Sequence, residues 1–381
     1  MSRDYSIEEE DIIIKVPKAE TGQPEQGGKD PVKKRKLEYQ KLESEGFELV
    51  VSTPGAFIGK TRKGVVIKNK GVVVHEAPLN NLQHIFVTSP SVTLSSNVVA
   101  FCAEKKIPID FMEHGGMPYA RLYPLQAGNV PLQLAQLKAV EDIRGAHLAK
   151  TFVHGKIKNQ INLVKYYHKY RKSFDAEFVA AFNTKVSAMD GLAEEAKELS
   201  AADNETLRGQ LFSIEGRAAN EYWQLATILL DGVIVFDGRE RQGATDLVNS
   251  LLNYGYGILY SKIWNAVIRS GLSPYISYLH KPQSGKPTLI FDLIEEFRSQ
   301  AVDRVVFSMI NKGVEFTRED DILSVDCRNK LATGVLERIN TIENFRGKEQ
   351  RLIEVIKGQA RAVGDYLLGE SSRYAPYIGK W

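Results

Sequence analysis

The sequence has little cysteine. Two residues in 381, Cys102 and Cys327, make neither a disulfide framework nor a zinc cluster, and a reducing compartment is the simpler setting for them. No sign of charge dominates: 50 Lys+Arg stand against 47 Asp+Glu, a formal charge of +3. That balance excludes binding nucleic acid by bulk charge, so any such role needs local basic patches. No long apolar run is present. The longest, "LATILLDGVIVF", carries Asp231 and is too short to cross a bilayer. The first residues, "MSRDYSIEEED", are acidic and lack the apolar centre of a signal peptide, so a cytoplasmic location is expected. A phosphate-binding loop is also missing. "GKTRKG" at 59–64 lacks the G-x-x-x-x-G-K-[ST] spacing and lies between strand-like runs, which removes nucleotide binding. What remains is an ordinary globular composition, 43% apolar and 25% charged, in a chain long enough for two cored domains.

Three segments follow from the patterning. Residues 1–46 contain "KAETGQPEQGGKDPVKKRK", Pro/Gly/Gln-rich and then basic, which reads as a flexible N-terminal extension. Its basic run, Lys33 to Lys36, either touches nucleic acid or is a solvated start to a short helix. Residues 47–126 are β-rich: "FELVVS", "GVVIKNKGVVVHE" and "HIFVTS" are β-branched runs split by turn residues, and "KNKG" marks a hairpin. One helix, "NVVAFCAEKK", starts after Ser95 or Ser96, and a strand in "IPIDFME" follows. From 131 to 381 the period becomes helical, with helices expected at about 131–171 (interrupted near Gly145 and Gly155), 176–200, 203–230, 245–270, 291–311 and 340–368. The fold class expected is α+β: a small β-rich N-terminal domain, then a larger all-α C-terminal domain.

Two helical segments carry acids where apolar residues belong. In "ETLRGQLFSIEGRAANEYWQLATILL", Leu207, Leu211, Ile214, Ala218, Tyr222, Leu225 and Leu229 form one face. Glu215 sits about 40° from its centre. A carboxylate there is costly to bury unpaired, so it either reaches out to water, pairs with an arginine such as Arg217, or holds a cation. In "LHKPQSGKPTLIFDLIEEFR", Asp292 and Glu295 lead a stripe continued by Ser299, Val302, Val306 and Ile310, while Ile294, Phe297, Ala301, Val305 and Met309 form a second stripe. Acids in a first helical turn suit the helix dipole. Two acids and a histidine, His280, within sixteen residues point further. Like charges that close raise each other's pKa unless a cation lies between them. Glu215, His280 and Glu295, with Asp292 beside them, suit Mg²⁺ or Mn²⁺, which prefer carboxylate oxygens with an imidazole over thiolates. Such an ion activates an attacking oxygen and stabilises a leaving oxygen at a phosphodiester.

At these residues the chain resembles a family. "IEGRAANEYW", then "DLVNSLLNYGYGILYSKIWNAVIRSGLSPYISYLHKPQSGKPTLIFDLIEEFRSQAVDR", is similar to the CRISPR-associated integrase that inserts new spacers, Cas1. The combination is an EG-x-x-A helix, a D-x-x-N-x-L-L-x-Y-G-Y helix, an L-H pair and D-L-x-E-x-F-R, within a likeness running from about residue 47 to the C-terminus. The resemblance implies a metal site of Glu215, His280 and Glu295, with Asp292 supporting. It also implies a homodimer, a complex with the small Cas2 protein, and a short DNA duplex whose 3′-OH ends are joined to a CRISPR repeat by transesterification. The expected activity is that of a metal-dependent DNA integrase and endonuclease. A homologous integrase of a mobile element and a non-catalytic DNA-binding scaffold are the alternatives.

Departures from the family pattern lie in "GRERQGATDLVN", where Gln242, Gly243 and Ala244 interrupt an arginine-rich, double-proline segment and Leu247 stands where proline is common. Arg239 and Arg241 remain as candidate phosphate contacts, with Lys286 and Arg298 as further candidate DNA contacts. The extension 1–46 is a second departure, a partner-docking segment or the remnant of a junction with a fused domain. "HGKIKNQINLVKYYHKYRK" is basic with interleaved tyrosines. It suits backbone contact and stacking, or a solvated face packed by Tyr166, Tyr167 and Tyr170. Tyr254 and Tyr256, in a leucine-rich helix, are expected in the core.

Overall fold

A computed structural model describes residues 12–15, 47–89, 91–123, 129–170, 176–230, 232–240, 246–319 and 322–380. The fold is α+β, strand-rich in its N-terminal part and mainly helical after it, with two short hairpins among the later helices where an all-α part was expected. The N-terminal elements are β1 (Ile12–Lys15), β2 (Phe47–Val51), β3 (Phe57–Lys60), β4 (Gly64–Asn69), β5 (Val72–Pro78), β6 (Leu82–Val87), β7 (Thr93–Leu94), α1 (Ser96–Lys105), β8 (Ile109–Met112) and β9 (Pro118–Leu122). They make a five-stranded sheet, β1-β2-β6-β8-β9, and a four-stranded sheet, β5-β4-β3-β7. Leu49, Ile58, Ile67, Ile85 and Ile109 from both sheets share one core, which α1 enters through Val98 and Cys102. The "KNKG" hairpin forms with Lys70 and Gly71 at positive φ, 48° and 84°, the pair a two-residue turn requires. Ser95 caps α1, its hydroxyl accepting from Val98 N at 3.3 Å.

One stretch of the extension is described. Ile12–Lys15 forms β1, antiparallel to β2, with Ile12 opposite Val51 and Lys15 opposite Glu48. Three isoleucines in a row have the β-branched shape that suits a pleated edge, and the strand satisfies backbone groups that β2 would otherwise leave unpaired. The rest of 1–46, including the basic run, lies outside the described residues.

The helical part contains α2 (Val130–Lys138), α3 (Ile143–Tyr170), α4 (Ala176–Glu198), α5 (Asn204–Leu230), α6 (Leu247–Arg269), α7 (Thr288–Ile294) and α8 (Arg304–Asn311). After a short hairpin of β10 (Arg318–Glu319) and β11 (Ile322–Leu323) come α9 (Val325–Ile339), β12 (Ile342–Phe345), β13 (Lys348–Arg351) and α10 (Leu352–Leu368). Two compact units result: residues 1–126 with 253–257 and 316–341, and residues 127–252, 258–315 and 342–381. In the first unit, α9 buries Cys327, Leu331, Val335 and Leu336, and its Arg328 donates to Thr88 O at 3.2 Å. An apolar stripe packs where its shape fits, whatever its place in the sequence.

Three expected helices change. The run 131–171 breaks between Lys138 and Ile143 near Gly145, but Gly155 lies inside α3 without a break. The run 291–311 is not one helix: α7 ends at Ile294, residues 295–297 form a turn, and Ser299–Asp303 is a π-helical turn before α8. Residues 342–351 are a hairpin instead of the start of a helix, because Arg346 and Gly347 take positive φ of 53° and 74°.

Candidate active site

The site lies wholly within the second unit. The apolar face of α5 is buried as its spacing requires, and Glu215 is buried with it at 7% exposure. It does not pair with Arg217, which instead bonds Glu195 at 2.7 Å. Its partner is Lys156 of α3, whose Nζ donates to Glu215 Oε1 and lies 2.7 Å from Glu295 Oε2. One ammonium therefore joins two carboxylates carried by different elements. Burial works against the charge on Lys156, yet the fields of Glu215 and Glu295 hold its pKa above the usual 10.5. Burial also opposes ionisation of Glu295, but Arg298 and Lys156 outweigh it and lower its pKa from 4.5 to about 2. Arg298 Nε stands 3.2 Å from Glu295 Oε1.

Glu295 follows α7 at the turn that leads into the π-helical segment. Its backbone stays right-handed, at φ −59° and ψ −32°, so the chain continues while the side-chain register changes. Insertions of this kind re-aim side chains and recur at functional sites.

Asp292 is fully buried on α7 and organises the loop before it. Its Oδ2 accepts from the backbone N–H of Tyr278 at 2.7 Å and of Leu279 at 2.9 Å. Its Oδ1 accepts from His280 N at 2.9 Å and lies 2.7 Å from His280 Nδ1. Three backbone donors and one ring nitrogen thus fix both the loop and the imidazole. Burial opposes a charged ring, but the hydrogen bond and charge of Asp292, with the fields of Glu295 and Glu215, raise the His280 pKa above 6.5. Phe212 and Phe291 wall the ring, with centroids at 5.5 and 5.9 Å.

The donor set fits a divalent cation on two observations. Glu295 Oε2 is buried and has an ion pair but no well-aligned hydrogen-bond donor. Nδ1 of His280 is committed to Asp292, which leaves Nε2 as the nitrogen for a ligand, an arrangement that orients metal-binding histidines elsewhere. The groups do not converge into a closed cage: among the described residues no three His, Cys, Asp or Glu side chains are grouped for a metal. Lys156 spans the space between the two glutamates.

On the far side of the same turn, Glu296 faces the C-terminal segment. Its carboxylate accepts from Tyr374 OH at 2.5 Å, Tyr377 N at 2.9 Å and Gln359 Nε2 at 3.0 Å. Asn159, one turn after Lys156, donates to Glu296 O at 2.9 Å and Tyr377 O at 2.7 Å. Tyr377 stacks on Phe297 at 5.2 Å. Gly155 allows the close approach, since a Cβ there would stand 2.6 Å from Pro376. The final residues thereby brace both α3 and the turn that bears Glu295.

Lys156, Asn159 and Glu296 escaped the sequence reading. Lys156 had a signal: Phe152, Lys156, Asn159 and Leu163 are spaced 4, 3 and 4 on a face that is buried throughout, so a lysine there needs a counter-charge. The candidate DNA contacts divide. Arg298 is at the site. Lys286 is exposed in the turn 283–286. Arg239 donates to Asn249 Oδ1 at 2.8 Å, and Asn249 is itself held by the Asp246 cap of α6 at 2.8 Å, so the D-x-x-N pair clips this loop. Arg241 lies outside the described residues. Tyr167 packs inward, donating to Arg304 O at 2.8 Å, and Tyr254 and Tyr256 are in the core.

A profile of the CRISPR associated protein Cas1 family matches residues 49–334. The chain is 30% identical over 347 residues to a CRISPR-associated endonuclease Cas1 of Archaeoglobus fulgidus, covering 88% of this chain and 100% of that protein. It is 35% identical over 331 residues to one of Saccharolobus solfataricus, covering 86% and 82%. Its fold is that of a casposase bound to integration product, with TM-score 0.72 at 21% identity over 86% of this chain and 92% of that one. It is equally that of a Cas1 protein from Thermotoga maritima, with TM-score 0.68 at 19% identity over 86% and 99%. A Cas6-RT-Cas1–Cas2 complex also shares the fold, with TM-score 0.71 at 21% identity over 89% of this chain and 37% of that one. This chain belongs to the Cas1 family of CRISPR-associated endonucleases.

Proposed function

We propose that this protein is a metal-dependent DNA integrase and endonuclease of CRISPR adaptation, working as a homodimer with a small Cas2 protein on a short DNA duplex. The observation that supports it most is the buried pair of glutamates, Glu215 and Glu295, sharing one cation beside an imidazole that Asp292 locks in place. Glu215, Glu295 and Nε2 of His280 are the groups that would hold Mg²⁺ or Mn²⁺. When bound, the ion supplies polarisation of the phosphodiester and stabilisation of the charge that builds on its oxygens.

The chain's own residues do the rest. Asp292 keeps the His280 ring oriented and the 278–280 backbone fixed, so the ligand geometry is set before substrate arrives. Arg298, half-buried beside Glu295, neutralises charge at the rim and meets a DNA phosphate. Lys286, exposed on its turn, meets another. The 3′-oxygen of the donor forms a new bond to a repeat phosphorus while the bond from that phosphorus to its former 3′-oxygen breaks. The proton lost by the donor hydroxyl is balanced by one gained at the departing oxygen. One phosphodiester replaces another, so no energy-rich cofactor is consumed. The Cas1–Cas2 assembly among the fold relatives supports the Cas2 partner.

The test is a donor duplex ending in 3′-deoxy or 3′-phosphate. It should bind as the free-hydroxyl duplex does and yield no joined product. Joining by blocked ends, or recovery of cleaved target alone with free hydroxyls, would reduce the activity to hydrolysis.

A further inference from the structure

Among the described residues, Lys156 is the one cation that touches both glutamates. Its Nζ donates to Glu215 Oε1 and lies 2.7 Å from Glu295 Oε2, and the residue is only 8% exposed. Charge at this point is already balanced: two carboxylates face Lys156 and Arg298, the latter 3.2 Å from Glu295 Oε1. An ammonium and a divalent ion cannot both hold the same two oxygens, because each needs them at close range and the two cations repel strongly where water is scarce. A lysine in this position is also replaceable. Its charge rides on four rotatable bonds and its ammonium bonds as a point charge, whereas a guanidinium fork would lock a carboxylate in a bidentate pair. Lys156 is held by one hydrogen bond, to Glu215 Oε1, and on the Glu295 side by charge, since Glu295 Oε2 has no aligned hydrogen-bond donor.

We infer that Lys156 is a resident counter-cation that holds Glu215 and Glu295 together and must be displaced for a divalent ion to bind between them. The inference rests on the metal-site reading above. It gives the lysine two opposed effects. It keeps two buried carboxylates from repelling each other, which supports the fold, and it competes with the metal, which weakens affinity. Removing the charge therefore costs stability without metal and gains affinity for it.

The test uses the full chain without DNA. Mn²⁺ is titrated calorimetrically into the wild type, Lys156→Met, Lys156→Gln and Glu215→Gln, and thermal unfolding is followed with and without Mn²⁺. Lys156→Met keeps the stem and drops the charge, and Lys156→Gln keeps a polar end should the methionine fold poorly. Both should bind Mn²⁺ at least tenfold more tightly than the wild type. Both should melt at lower temperature without Mn²⁺ and gain more from it than the wild type gains. Wild-type binding that is unchanged or weakened by both substitutions overturns the displacement. Absence of Mn²⁺ binding in every variant, or binding that Glu215→Gln leaves intact, overturns the metal-site reading itself. The two failures are thus distinct.

Discussion

Glu295 and Glu296 are neighbours in sequence, both buried, and they meet opposite fates. Glu295 faces Lys156 and Arg298, and its pKa falls to about 2. Glu296 faces a tyrosine hydroxyl, a backbone N–H and a glutamine amide, and burial raises its pKa from 4.5 to about 7 despite those bonds. Formal charges suffice to keep a buried carboxylate ionised, whereas neutral donors only partly offset the loss of water. The difference comes from what stands on each side of one turn: Lys156 and the nearby Arg298 beside Glu295, and the C-terminal segment and α10 beside Glu296.

The largest expected contrast is in activity. Glu295→Gln should lower strand joining about a hundred- to a thousandfold, the scale on which loss of one electrostatic stabiliser is felt. Glu296→Gln should leave it within a few-fold. Joining assays on matched, folded variants decide this, and equal losses would erase the distinction between the two sides.

Removing what Glu296 holds should cost the fold next. Tyr377 is 1% exposed and stacked on Phe297, so Tyr377→Ala should destabilise by about 3–5 kcal/mol, as large buried aromatics do. It should also weaken Mn²⁺ binding, because the turn bearing Glu295 loses its brace. Urea unfolding and calorimetry would check both. Undiminished metal affinity in a destabilised variant would confine the C-terminal segment to stability alone.

The pH dependence carries opposite signs. Glu296 binds its proton more tightly folded than unfolded, so its contribution to stability falls as pH rises from about 4.5 through 7, by about 3 kcal/mol in total. Glu295 binds its proton less tightly folded, so its contribution is present above about 4.5 and is lost as pH falls toward 2. Denaturant unfolding from pH 5 to 8 should show the wild type losing stability relative to Glu296→Gln. A constant difference across that range would show that Glu296 is ionised throughout.

The smallest effect concerns the rim. Arg298→Ala should weaken duplex binding modestly for every sequence and reduce the salt slope by roughly one, the value for one phosphate contact. An unchanged slope would leave Arg298 as a partner of Glu295 only.

The site was legible where periodicity and chemistry coincide. The stripe from Leu207 to Leu229 declared the buried face of α5 and put Glu215 on it. Asp292 and Glu295 announced themselves as acids on an apolar run. Lys156 was harder to see, because basic residues on either side of it made its stretch look like a solvated surface. The π-helical turn at Ser299–Asp303 left the 3-and-4 spacing almost intact, so it could not be told from an ordinary helix. The 342–351 hairpin depended on Arg346 and Gly347, a turn pair less distinctive than "KNKG". β1 was missed because four residues are too few to show a period.

By itself the sequence determined which helices bury which faces, that strands precede helices, and that carboxylates sit where burial demands a cation. Those follow from local spacing, since the pitch of a helix or strand assigns each side chain to a face. Only the tertiary structure decided which partner answers each carboxylate. Lys156 reaches Glu215 and Glu295, the C-terminal segment reaches Glu296, and Asp292 gathers the loop of His280. Those pairings join segments far apart in the chain, and the energy of a buried charge depends on what surrounds it in space, which no local pattern contains.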